Sequence, residues 1–225
     1  MNKRLQSLLA IVLSLMLFVS TFAMAGSALS PKDYFKPTQN DWSLDFLRFK
    51  GPGVVNVLGI RYYVDKDNHI DRNYTGIAEG DYGWWRVENG LVNYRATGVY
   101  ENEYGWWRVE KGQVNFKAQG LYQNENGWWL VEGGKVNFGA NTIYRNEFGW
   151  WKVTDGKVDF SYNGLAENEY GWWFLKDGCV DFSFTGLATN QYGTWYVKDG
   201  QVQFNYYGNL KVGDSYFYVY EGRLV

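Results

Sequence analysis

Several residue types are scarce in this chain, and each scarcity argues against a class of protein. Cys179 is the only cysteine, so no internal disulfide can form and the fold must be held together by packing. His69 is the only histidine, and neither it nor Cys179 has a sequence partner suited to catalysis. The sequence therefore predicts a protein that is not an enzyme and has no catalytic residues.

Charge of one sign is also lacking. The chain has 22 basic and 24 acidic residues with no basic stripe, which argues against a nucleic-acid partner. The stretch "DKDNHID", from Asp65 to Asp71, begins like a calcium loop. It has no glycine at the sixth position and no glutamate at the twelfth, so no metal site and no cofactor are predicted.

A long hydrophobic run occurs only near the start of the chain. Lys3 and Arg4 precede an apolar run over residues 8–19, and Ala23 and Ala25 supply the small residues of a cleavage site. This pattern predicts a secretory signal peptide over residues 1–25 and a secreted or cell-wall-associated protein. Its removal leaves 20 basic against 24 acidic residues, a net charge of about −4, and no membrane span after cleavage.

Aromatic residues, in contrast, are abundant and periodic. They make up 20% of the chain, which has 12 tryptophans. A 22-residue repeat begins with a degenerate copy at 61–82, continues in six copies over 83–214 and ends with a half copy at 215–225. Because each copy is too small to bury its own apolar face, residues 61–225 are predicted to stack as a repeat solenoid.

Within a copy, the sequence predicts two strands joined by a tight turn. In "WWRVENGLVNY", Asn89-Gly90 is a strong hairpin signal between residues that favour strands. A three-residue loop is the alternative, but a two-residue loop keeps the variable polar positions out of the core and places Val87 opposite Val92. The predicted fold is therefore all-β, a solenoid of stacked β-hairpins.

Residues 26–60 differ from the repeats and are predicted to form a short N-terminal cap. Trp42, Phe46 and Phe49 have roughly helical spacing after a possible cap at Asn40 or Asp41, so this segment is expected to contain one helix. Residues 54–64 are then predicted to form a strand. Such a segment would cover the exposed first edge of the solenoid.

The paired tryptophans are the main functional signal. The second of each pair is predicted to be core, with Tyr63 and Phe217 as its terminal equivalents: Trp85, Trp107, Trp129, Trp151, Trp173 and Trp195. The first lies on the polar face and is predicted, with two tyrosines, to bind ligand: Trp84, Trp106, Trp128, Trp150, Trp172, Tyr104 and Tyr170. Sugar rings and quaternary ammonium groups both suit exposed aromatics. The alternative is that the first tryptophan packs on the next copy's Tyr104-type residue and binds nothing.

The motif "GWW-V-x-G-x-V-x-F" resembles the tryptophan-rich cell-wall-binding repeats of Gram-positive surface proteins, which include choline-binding repeats. The variant here is similar to the GWW type of secreted proteins from gut Firmicutes. The resemblance covers residues 61–225 and implies hairpins stacked in a left-handed solenoid, with ligands between successive hairpins. In choline-binding members, the resemblance implies a ligand site made of two aromatic residues from one hairpin and a third from the next. This sequence departs from that pattern, because its second strand, "VNF" or "VDF", carries only one aromatic residue after the turn.

Together, these observations predict a secreted, non-catalytic protein that attaches to a cell-wall polymer or surface glycan through its repeated aromatic face. The alternative is a surface protein that binds a host protein, such as immunoglobulin or a mucosal glycoprotein, through a flat face of the array.

Overall fold

The computed structural model describes residues 51–225, and this part of the chain contains 23 β-strands and no helix. The all-β repeat fold predicted from the sequence is confirmed. The signal peptide and the helix predicted near Trp42 lie outside the described residues.

The array begins with a hairpin of strand β1 (Gly53–Val57) and strand β2 (Ile60–Val64). The sequence suggests one strand over residues 54–64, and that expectation is wrong. Leu58 and Gly59 have positive φ angles of 52° and 89°, so the chain reverses between them.

Seven structural units follow, beginning at residues 76, 98, 120, 142, 164, 186 and 208, and each has three strands. The first strands are β3 (Gly76–Gly80), β6 (Gly98–Asn102), β9 (Gly120–Asn124), β12 (Thr142–Asn146), β15 (Gly164–Asn168), β18 (Gly186–Asn190) and β21 (Gly208–Val212). The second strands are β4 (Gly83–Glu88), β7 (Gly105–Glu110), β10 (Gly127–Glu132), β13 (Gly149–Thr154), β16 (Gly171–Lys176), β19 (Gly193–Lys198) and β22 (Ser215–Tyr220). The third strands are β5 (Leu91–Val92), β8 (Gln113–Val114), β11 (Lys135–Val136), β14 (Lys157–Val158), β17 (Cys179–Val180), β20 (Gln201–Val202) and β23 (Arg223–Leu224).

The two-residue turn between the second and third strands is confirmed, because Val87 pairs with Val92 across Asn89-Gly90. The segment between successive hairpins is not a simple bend, however. It contains the first strand of the next unit, which pairs with the second strand over five residues; Tyr100 opposite Trp107 is one such pair. Each unit is therefore a three-stranded antiparallel meander that contains the predicted hairpin and one further strand.

The glycine of this turn joins neighbouring units. Gly112 donates its N–H to the Ala96 carbonyl at 2.9 Å, and its carbonyl accepts from the Arg86 N–H at 2.8 Å. Its φ is +80°, and a Cβ atom would lie 2.6 Å from the Asn93 carbonyl oxygen. Only glycine satisfies both the conformation and the close approach of the backbone.

The core lies between adjacent units. The valine or leucine after each second-strand tryptophan is fully enclosed, as predicted, with 0% exposure at each of these positions: Val87, Val109, Val131, Val153, Leu175 and Val197. One cluster joins Val99 of the second unit to Val131 and Val136 of the third. Since every unit buries its apolar face on a neighbour, stability comes from stacking rather than from any single unit.

Candidate ligand-binding site between the repeats

The two tryptophans of each pair point to opposite faces of the second strand, because successive side chains alternate in a strand. The second tryptophan is buried in three units, at Trp85, Trp129 and Trp173. The expectation that all are core needs correction, since the remaining members are only partly buried: Trp107, Trp151, Trp195, Tyr63 and Phe217. These rings keep part of their surface exposed to solvent.

An asparagine fixes the orientation of the second tryptophan. In the second unit, Asn102 Oδ1 accepts the backbone N–H of Tyr104 at 3.0 Å, which is the self-bonding turn expected of an asparagine here. The same oxygen accepts the Trp107 indole N–H at 2.9 Å. Equivalent indole bonds join Trp129 to Asn124, Trp151 to Asn146, Trp173 to Asn168 and Trp195 to Asn190.

The first tryptophan is neither freely exposed nor fully buried. Trp84 lies partly buried against the next unit, with its ring 5.0 Å from Trp107, 5.7 Å from Phe116 and 5.5 Å from Tyr104, measured between centroids. Tyr104 itself is 60% exposed, so the cluster opens to solvent on one side. A hydrogen bond with Glu103 raises the pKa of Tyr104.

This aromatic cluster recurs along the array. Trp150 lies 4.9 Å from Trp173, 5.8 Å from Phe182 and 5.9 Å from Tyr170. Trp172 lies 5.2 Å from Trp195, with Phe204 and Tyr192 each at 5.7 Å. The clusters of Trp106 and Trp128 are less complete: Trp106 has close rings at Trp129 (4.8 Å) and Phe138 (5.7 Å), and Trp128 has one at Phe148 (6.5 Å).

Two positions vary between clusters and set their shape and charge. One is the turn residue between the first and second strands of the next unit. It is aromatic beside four of the tryptophans, as Tyr104, Phe148, Tyr170 or Tyr192, but is Asn126 beside Trp106. The residue paired with the first tryptophan across the strands is Glu79, Glu101, Gln123, Arg145 or Glu167, in order of the array. The clusters of Trp84 and Trp172 thus combine four rings with a neighbouring carboxylate.

The structure brings together Trp84 with Tyr104 and Trp150 with Tyr170, two pairs among the predicted site residues. Sequence reasoning missed the other cluster members, namely the second tryptophan of the next unit, the phenylalanine after its turn, and Tyr192. Repeat register would have indicated Tyr192, since it is equivalent to Tyr104 and Tyr170.

The indole rings in these clusters already accept cations from the chain itself. Lys135 pairs with Trp107 across β11 and β7 and places its ammonium nitrogen 5.4 Å from the ring centroid. Lys157 does the same to Trp129. Both lysines are exposed, as the sequence indicates for this position, and each also lies over an indole of the preceding unit. This geometry is a cation–π interaction.

Other kinds of site are not formed by the described residues. Within residues 51–225, no three acidic, histidine or cysteine side chains come together in a way that would hold a metal ion. The same part of the chain contains no helix of the length and apolarity needed to cross a membrane.

Comparisons with known proteins find one matching repeat family and several similar solved structures. The choline-binding repeat family matches residues 73–93, 95–115, 117–137, 161–181 and 183–203. Choline-binding protein F from Streptococcus pneumoniae is 18% identical, with a TM-score of 0.31, over 73% of this chain and 55% of that one. The modular autolysin LytC from Streptococcus pneumoniae is 11% identical, with a TM-score of 0.23, over 77% of this chain and 48% of that one.

The chain therefore spans about half the length of these solved proteins. No curated protein sequence matches it. The fold and the clusters define a repeat protein of stacked β-strand units with aromatic groups at the unit boundaries. The matched repeats identify the chain as a choline-binding-like repeat protein, as the motif predicts.

Proposed function

We propose that this protein is a secreted, non-catalytic binding protein that attaches to a cell-wall polymer or surface glycan, and that its aromatic clusters receive choline-type cations. One observation carries the proposal: around Trp84, three rings of the next unit lie within 6 Å of one indole and leave an open side. Rings that converge in this way form the walls of a cage for a quaternary ammonium group.

The repetition of the clusters supports attachment to a polymer. A single cation–π contact contributes roughly 0.5–2 kcal/mol, which gives weak binding at one site. A polymer that carries many identical cations engages several clusters at once, and the second contact is then intramolecular. The array therefore suits a repeating wall polymer better than a free small molecule.

A sedimentation experiment tests this function. The mature protein should pellet with purified Gram-positive cell walls, and free choline should release it. The double variant Trp84→Ala and Trp172→Ala should lose most of this retention because two four-ring clusters are opened. Thr194→Ala is the matched control, since Thr194 occupies the same position in the sixth unit without a tryptophan; it should pellet like the parent protein.

Two results would contradict the proposal. Unreduced retention of the folded double variant on cell walls would exclude the clusters of Trp84 and Trp172 as binding sites, and insensitivity to choline and sugars would exclude cation or sugar recognition by the array. Capture of one serum or mucosal protein in the presence of choline would instead favour the host-protein alternative.

The clusters should also differ in affinity for a cation. Arg145 is paired with Trp150, whereas Glu167 is paired with Trp172 and accepts its indole N–H at 2.7 Å. Because a nearby positive charge opposes binding, Arg145→Glu should raise the choline affinity of the Trp150 cluster by about threefold at low salt. Tryptophan fluorescence titration measures the change, and Arg145→Gln should give an intermediate value. An unchanged affinity in both variants would show that Trp150 does not contact the cation.

A further inference from the structure

In the first two units, an arginine of the second strand covers a tyrosine of the next unit. The guanidinium carbon of Arg86 lies 4.6 Å from the ring centroid of Tyr100, and that of Arg108 lies 4.2 Å from Tyr122. The side chains of Arg86 and Arg108 are 16% and 15% exposed. Each cation therefore occupies a defined place between two units.

A carboxylate and an amide complete this arrangement. Glu110 Oε1 lies 3.1 Å from Arg108 Nε, and Glu110 Oε2 accepts from Asn115 Nδ2 at 3.0 Å. The Asn115 and Arg108 hydrogen bonds lower the pKa of Glu110, with the asparagine bond the larger cause. Glu88, Arg86 and Asn93 repeat the pattern in the first unit. The guanidinium thus has a ring on its face and a carboxylate at its edge.

The third unit keeps every part of this arrangement except the cation. Glu132 Oε2 accepts from Asn137 Nδ2 at 2.7 Å, and Tyr144 occupies the ring position. Leu130 stands where the arginine would be, and its side chain ends at Cδ, two bonds before the position of Cζ. Among residues 51–225, Glu132 forms no ion pair. In the next three units, the same strand position holds Lys152, Phe174 and Tyr196, and the glutamate is absent.

A groove of about 900 Å³ opens at this place. Leu130, Glu132, Asn137 and Tyr144 line it, and Trp150 and Tyr170 extend it toward the fifth unit. Its charged groups are the carboxylates of Glu132 and Glu169 and the guanidinium of Arg145, so the lining carries a net negative charge. The groove therefore combines aromatic walls with the electrostatics that attract a cation.

We propose that this groove binds a guanidinium group supplied from outside, namely an arginine side chain of a protein or peptide ligand. The ligand places its guanidinium where Arg86 and Arg108 hold theirs, stacked on Tyr144 and paired with Glu132. The chain's own arginines identify the ligand chemistry, because they fill the equivalent space in the two preceding units. A planar guanidinium suits both the ring and the carboxylate better than a compact ammonium does.

Nuclear magnetic resonance titration with acetyl-arginine-amide tests the proposal on the uniformly ¹⁵N-labelled mature protein. Saturable shifts should appear at Leu130, Glu132 and Tyr144, with a dissociation constant on the order of 1–10 mM for one stacked and paired cation. Acetyl-citrulline-amide has nearly the same shape without the charge and should cause no saturable shift. Equal binding of the two probes, or no binding of the arginine probe, would overturn the proposal.

Exchanging residues between units supplies matched variants. Leu130→Arg should abolish probe binding because the chain then fills its own groove. Arg108→Leu should create a second site, seen as new saturable shifts at Glu110 and Asn115. Glu132→Gln should weaken binding about threefold, as expected for an exposed ion pair. Arginine and leucine both occur naturally at this second-strand position, so Leu130→Arg and Arg108→Leu are compatible with folding.

Choline titration of the same variants separates this proposal from the proposed function. Leu130→Arg should leave choline binding at the Trp172 cluster unchanged, since that cluster lies between the fifth and sixth units. Probe binding that persists in Leu130→Arg would place the arginine site elsewhere and contradict the inference.

Discussion

The first residue of the turn between the second and third strands adopts a left-handed conformation whatever its type. Asn89 and Asp155 have φ angles of 50° and 48°, and Lys111 and Glu221 both have 50°. Asparagine and aspartate tolerate this conformation, but residues with longer side chains pay roughly 1 kcal/mol for it. The second turn residue is glycine in every unit, so the fold imposes the conformation and the first residue only determines its cost.

Lys111→Asn should therefore stabilise the protein by about 0.5–1 kcal/mol. The lysine backbone N–H would keep its bond to Thr97 Oγ1, which is 3.2 Å long, because the backbone does not change. Urea unfolding measures the difference in free energy. Asp155→Asn is the control and should change the stability little, since both residues accept a left-handed φ. A loss of stability in Lys111→Asn would show that the lysine side chain has a favourable role of its own.

At the scale of elements, two positions four residues apart exchange a large and a small side chain along the array. The loop position before each first strand holds Tyr74, Ala96, Ala118, Ala140, Tyr162, Phe184 and Tyr206. The third position of the first strand holds Ala78, Tyr100, Tyr122, Tyr144, Ala166, Ala188 and Leu210. Where one position is aromatic the other is alanine, or Leu210 in the last unit, so one ring fills the space between units in two alternative ways.

A side chain of the preceding unit's second strand covers this ring, and it contacts whichever of the two positions is aromatic. Arg108 covers Tyr122, fourteen residues later, whereas Lys152 lies over Tyr162, ten residues later. Phe174 stacks on Phe184 at 3.8 Å, also ten residues later. The second strand therefore reaches either ring without a change in backbone pairing.

A double-mutant cycle tests this compensation. Ala118→Tyr alone should destabilise the protein by about 1–3 kcal/mol because it overpacks a residue that is 4% exposed. Tyr122→Ala alone should cost about 2–3 kcal/mol through the lost ring and its contact with Arg108. The double variant should lose at least about 1 kcal/mol less unfolding free energy than the sum of the two single losses. The reason is that Arg108 can stack on residue 118 as Lys152 does on Tyr162. Simple additivity in the free energies of unfolding would contradict the exchange.

The sequence predicts the turn and the enclosed valines well because these depend on local spacing. Asn89-Gly90 and the alternation from Trp85 to Val87 are visible within one copy. The first strand was missed because "TGVYENEYG" is rich in glycine and polar residues, and its strand is defined only by pairing with the following second strand. The partners of Trp84 were missed for a related reason: Trp107 and Phe116 meet it only when units stack, which alternation within one copy does not reveal.

At the scale of the whole molecule, short contacts between units hold the array together, and no disulfide contributes. Each second strand except that of the last unit forms a single bridge with the third strand of the next unit, as Trp85 does with Gln113. Such a repeat array depends on many equivalent small contributions. Conditions that weaken the same contribution in several units should therefore act cooperatively on the whole chain.

Acidification is such a condition. Hydrogen bonds lower the pKa of Glu110, chiefly from Asn115, and of Asp159 and Asp181, chiefly from Ser161 and Ser183. A carboxyl whose pKa is lower in the folded state stabilises the fold above its unfolded pKa, and that contribution is lost as the pH falls through the folded value. The reference values are 4.5 for Glu110 and 3.8 for the two aspartates, so the loss begins near the first value and continues below the second.

The melting temperature should accordingly be nearly constant above about pH 5 and fall progressively toward about pH 3. Glu110→Gln should melt lower than the parent at neutral pH, because the amide cannot pair with Arg108 as a charge, and the two proteins should converge at acidic pH. Glu125→Gln, which changes an exposed carboxylate with no hydrogen bond among the described residues, should follow the parent curve. A constant difference between Glu110→Gln and the parent at every pH would mean that the Glu110 carboxylate charge contributes nothing to stability, and that the effect of the substitution lies in packing alone.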